Sequence, residues 1–124
     1  MSFKKEEAQK LLEELVKNGS IVKEYIVLKE PPLKVVFKSL IASSWHKVPL
    51  TDNTGKPLDS RQVDLNIIAS SVIGLGDATF NSAEEATEAL SKQSQMIVNK
   101  IGLQLRDFED SINELVFDED IKKN

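Results

Sequence analysis

The chain has 124 residues, 40% of them apolar and 29% charged, with a formal net charge of −4 and no cysteine. That length and balance predict a single domain over 1–124 with a core of its own, and they exclude wholesale disorder and any disulfide framework. No basic stripe offsets the acidic balance, which argues against nucleic-acid binding, and no apolar run reaches the length of a membrane span.

The amino-terminal segment, 1–19, predicts a helix from Phe3 to Lys17, with Ala8, Leu11, Leu12, Leu15 and Val16 on one face. Its start, Met1-Ser2-Phe3-Lys4-Lys5-Glu6-Glu7, lacks the apolar stretch of a secretion signal, so cytoplasm is the expected location. Asn18-Gly19 closes the helix, because both residues tolerate a left-handed cap. Ile21 to Leu28 then predicts a strand of β-branched and aromatic residues. Glu30-Pro31-Pro32 forms a stiff break, and Leu33 to Leu40 resumes in extended style. Two strands joined by a short proline turn predict a small hairpin or a sheet edge that helices must cover. A helical turn is expected over Ile41–Val48, starting near Ser39.

From Pro49 to Asp59 the composition turns to loop formers, making this the clearest flexible segment. Asp59 and Ser60 offer a cap, with Gln62 three residues past Asp59 placed as in a capping box. The next helix is expected over Arg61–Leu75, where Leu65, Ile68, Val72 and Leu75 follow a 3-4-3 spacing. Gly74-Leu75-Gly76-Asp77 ends it. Ser82 and Glu85 form a second capping box, opening a short helix over Ala83–Ser91 with a break at Lys92–Ser94.

The last third carries the most regular pattern. Val98, Ile101, Leu105, Phe108, Ile112 and Leu115 recur at 3-4-3-4-3 spacing, which keeps one apolar seam turned toward a neighbour, in the same fold or in another copy. Gly102 beside the seam permits close backbone approach. The helix runs to about Phe117, and the tail 118–124 is expected to fray. The fold class is therefore α+β, predominantly helical, with a small two-stranded antiparallel hairpin near the amino-terminal third packed against three to four helices.

Chemistry is sparse. His46 is the lone histidine, which excludes a multi-histidine metal site, and no Gly-x-Ser-x-Gly elbow supports a nucleophile near it. Gly74-x-Gly76 follows a helix and lacks the rest of a phosphate-binding fingerprint. Asp52-Asn53-Thr54-Gly55 has neither the glycine position nor the glutamate of a calcium loop. Asp118-Glu119-Asp120 reads as a solvated end. No set of residues supplies nucleophile, base and orienter together, so the expectation is a non-enzyme without cofactor or metal. Trp45 beside His46 is a candidate partner contact, since tryptophan is enriched at interface hot spots.

The order of parts resembles the tail assembly chaperones of long-tailed bacteriophages. The similarity runs from the extended stretch Lys34-Val35-Val36-Phe37-Lys38-Ser39-Leu40 through a polar loop to the apolar helix Asp64-Leu65-Asn66-Ile67-Ile68-Ala69-Ser70-Ser71-Val72-Ile73. The capped start Ser82-Ala83-Glu84-Glu85 and a long closing helix over Val98–Leu115 complete it. This resemblance implies a small viral protein of the host cytoplasm that binds the largely helical tape-measure protein, and with it the tail tube protein, during tail assembly. It further implies a groove for a helical client lined by Ile68, Val72, Ile101, Leu105 and Phe108, with Trp45 at its rim. A structural subunit of a tail or baseplate-like assembly, retained in the virion, fits the same residue patterns.

Overall fold

The computed structural model describes residues 5–40 and 47–117. Helix α1 spans Lys5–Asn18, strands β1 and β2 span Val22–Leu28 and Leu33–Lys38, and helix α2 spans Ser60–Ser71. Strands β3 (Val72–Leu75) and β4 (Ala78–Thr79), then helices α3 (Ala83–Ser91) and α4 (Gln95–Phe117), complete the order.

Local chemistry explains most of the element ends. Gly19 takes φ 78°, and its N–H donates to the Leu15 carbonyl at 2.9 Å, closing α1 with a left-handed residue. The Asp59 carboxylate accepts from the Arg61 N–H at 2.8 Å and caps α2. Gln62 does not reach back to complete a box; its amide donates forward to Asn66 at 2.9 Å. At α3 the Ser82 hydroxyl accepts from the Glu85 N–H at 3.2 Å, while the Glu85 carboxylate accepts from the Asn81 N–H at 2.7 Å. A break at Lys92–Ser94 separates α3 from α4.

The sheet is larger than the sequence pattern predicts. Four antiparallel strands lie in the order β1-β2-β3-β4, in place of a two-stranded hairpin. The residues that make the difference are Val72 to Leu75, expected as the end of a helix. The α-helix stops at Ser71, and these four residues pair with β2, setting Leu75 opposite Val35, Gly74 opposite Val36 and Val72 opposite Phe37. The helical 3-4-3 spacing of Leu65, Ile68, Val72 and Leu75 hides a change of period: adjacent β-branched Val72 and Ile73 suit a strand, and the free side of β2 supplies a ladder. Gly74-x-Gly76 is accordingly not a helix stop. Gly76, at φ 61°, turns β3 into β4, a position where a side chain would be strained.

Side chains at odd positions of β1 and β2 face inward. Val27, Val35 and Phe37 are buried there, and Tyr25 is half-buried among them. Helix α4 lies on this inner face, touching β1 and β2, with α1 and α2 beside it and α3 against α2 and β3. Phe108 of α4 stacks on Phe37 with centroids 5.7 Å apart, and Tyr25 meets both rings edge-on at 5.4 and 6.2 Å. Gly102 allows α4 to approach α2 closely: a Cβ there would meet Ile68 Cδ1 at 3.2 Å. Ile101, Leu105, Phe108 and Leu115 are buried and Ile112 half-buried, so the regular seam is the core-facing stripe of this helix.

Candidate functional site

Val72, Ile101, Leu105 and Phe108, expected to line an open groove, do come together. They are interior side chains, exposed by 2%, 0%, 3% and 0%. Ile68 packs beside them, half-buried. The groove is closed because β3 and β2 fill it: Val35, Phe37 and Leu75 occupy the surface that a client helix would have met. Trp45 and His46 lie outside the described residues, as do the tail 118–124 and most of the turn expected over Ile41–Val48.

The apolar side chains available to a partner are others. Val22 and Ile26 point away from the core on the outer sheet face, 52% and 61% exposed, with half-buried Val36 between them on β2. Val16 on α1, Met96, Leu103 and Phe117 on α4, Ile67 on α2 and Leu50 in the 49–59 loop are also exposed. A sequence signal for the outer face existed. In the run from Ile21 to Leu28, apolar residues occupy both odd and even positions, whereas a strand solvated on one side alternates.

Cross-strand pairs set the chemistry of that face. Val22 lies opposite Lys38, Glu24 opposite Val36, and Ile26 opposite Lys34. The Glu24 carboxylate pairs diagonally with the Lys34 ammonium at 3.5 Å. Lys38 has no carboxylate within ion-pair distance among the described residues. Gly74 of β3 borders Val36 on the same face, where a Cβ would stand 3.4 Å from both Val36 Cγ2 and the Ala78 carbonyl.

Beside this face the edge of β1 is partly closed. Antiparallel alternation turns the backbone groups of Val22, Glu24 and Ile26 outward, since Ile21 exchanges bonds with Ser39 on the β2 side at 2.8 and 2.9 Å. Gln104 of α4 donates from Nε2 to the Ile26 carbonyl at 2.7 Å, occupying the place a further strand would take. Its Oε1 is buried without a hydrogen-bond partner among the described residues.

Among the described residues, Tyr25, Glu109 and Asp52 depart from their ordinary ionisation. Burial, and secondarily the negative charge of Asp107, pushes the Tyr25 phenol upward. Burial and the neighbouring Asp110 raise Glu109, with Arg106 opposing. The Thr54 hydroxyl, then the Thr54 and Lys56 N–H groups, hold Asp52 below its ordinary value. Those three donors reach one Asp52 oxygen at 2.6, 2.8 and 3.0 Å and tie the tip of the 49–59 loop, where Thr51 bridges Pro57. Asn66, which the sequence pattern does not single out, anchors the start of that loop by donating to the Pro49 carbonyl at 3.1 Å.

Among the described residues no group of three or more His, Asp or Glu side chains is placed to hold a metal ion, and no helix is long and apolar enough to cross a membrane. No protein-family model, curated protein or solved structure matches the chain.

Proposed function

We propose that this chain is a non-catalytic binding protein that shields the apolar stripe of a helical partner, as a tail assembly chaperone does for a tape-measure protein. The observation that carries the reading is apolar surface presented outward in a chain of net charge −4: Val22 and Ile26 on the open side of the sheet, with Val36 half-buried between them. Such a surface binds by burial and complementarity and asks for no reacting group. The interior positions Val72, Ile101, Leu105 and Phe108 support the fold, so on this reading the partner meets the outward side chains instead.

The test is co-expression with the long helical protein encoded immediately downstream, if the gene order provides one. The expected result is that the helical protein stays soluble in a complex with this chain, and that the chain is absent from finished particles. Recovery at fixed stoichiometry in an assembled tail would favour the structural-subunit reading. Absence of any complex would overturn both.

A further inference from the structure

We infer that the outer face of the β1–β2 hairpin is the docking surface, and that its occupant is an amphipathic helix of another protein whose apolar stripe is flanked by carboxylates. The inference deepens the proposed function and rests on it. Three features of this face point to that partner together.

The first is charge. Lys34 and Lys38 stand against one glutamate, Glu24, which Lys34 already holds at 3.5 Å. An otherwise acidic protein therefore presents a locally cationic apolar face. A second copy of the same face would meet like charge there, whereas a helix edged with Asp or Glu would meet Lys38. Val16, by contrast, lies between Glu13 and Lys17, whose charges offset. Leu103, beside Lys100, Arg106 and Asp107, has the same two-to-one excess of positive charge and is told apart from the hairpin face by the variants below.

The second feature is spacing. Val22 and Ile26, four residues apart on one strand, stand about 13 Å apart at strand rise. Two turns of helix cover nearly the same length, about 12 Å from residue i to i+8. Lys34 and Lys38 form an equal row on the neighbouring strand, about 4.8 Å to one side, close to the radius of a helix with its side chains. A helix laid along the strands sets its apolar stripe on Val22 and Ile26 and one polar edge over the lysines.

The third feature is the edge. Gln104 engages the Ile26 carbonyl at 2.7 Å, so a strand adding to β1 would have to displace it. The face remains open while the edge beside it is guarded. That favours a partner lying on the sheet over one extending it.

The test uses the full chain and two synthetic helical peptides of about 20 residues, each with leucines at i, i+4 and i+8, one flanked by glutamates and one by lysines. Binding is read by fluorescence anisotropy, with light scattering to follow the oligomeric state. The glutamate peptide is expected to bind and the lysine peptide to bind at least about tenfold more weakly, with the difference shrinking at high salt. Ile26→Ser and Lys38→Glu should each weaken the glutamate peptide by about tenfold, while Leu103→Ser leaves it unchanged. Unaltered thermal midpoints would show that these exposed substitutions leave the fold intact. If the peptide binds but Leu103→Ser weakens it and Ile26→Ser does not, the face is wrongly assigned while helix binding stands. A dimer abolished by Ile26→Ser would make a second copy the occupant and overturn the inference. If neither peptide binds, the proposed function fails with it.

Discussion

At the residue scale, Asp52 shows how one carboxylate organises a loop otherwise rich in turn formers. Its oxygen accepts from Thr54 and Lys56, and those bonds favour the charged form. The folded-state pKa therefore lies below the unfolded one, so the contribution to the turn is complete above the ordinary Asp value and is lost as pH falls through the depressed value. An NMR titration should find the Thr54 and Lys56 amide shifts moving with a midpoint below the ordinary Asp value, and Asp52→Ala should remove that transition. Gly102 offers a second case. Alanine would gain about 1 kcal/mol of helix propensity, but its Cβ meets Ile68 Cδ1 at 3.2 Å. Gly102→Ala should thus come out near neutral in denaturant unfolding, while Gly102→Leu should cost about 1–3 kcal/mol by overpacking the α2–α4 contact.

At the element scale, α4 holds the molecule together through Phe108. The side chain is fully buried and stacked on Phe37, so Phe108→Ala should cost about 3–5 kcal/mol, measured by chemical denaturation. The resemblance to tail assembly chaperones implies a client groove lined by Phe108; burial places the side chain in the core instead. The periodicity of α4 was nonetheless fully readable, because a helical seam depends on neighbours three and four residues away. The α3 start was readable for the same reason. Ser82 and Glu85 satisfy the first turn locally, and Ser82→Ala should cost about 1 kcal/mol. Strand β3 was not readable. Its ladder partner, β2, lies more than 30 residues away along the chain, and its apolar spacing satisfied a helix equally well.

For the whole molecule, the decisive property is that one side of the sheet is covered and the other open. Ile26 and Val35 lie on adjoining strands but on opposite faces. Val35→Ser should destabilise strongly, because it places an unpaired hydroxyl in the core, whereas Ile26→Ser should stay within about 0.5 kcal/mol of the parent in thermal unfolding. The expected groove and the observed outer face differ for one reason. Apolar pattern identifies side chains that must leave water, and it is silent on whether the chain itself or another molecule covers them.

The residues by themselves determined the helices at both ends, the proline-turn hairpin, the cap at Ser82 and the apolar stripe of α4, since each rests on interactions within a few positions. Tertiary structure alone decided that Val72 to Leu75 extend, that Gly76 turns a hairpin, and that the seam is sealed by the sheet, leaving Val22, Ile26 and Lys38 outside. Those outcomes depend on distant segments meeting at β2, and no local spacing encodes which side of a strand will find a neighbour.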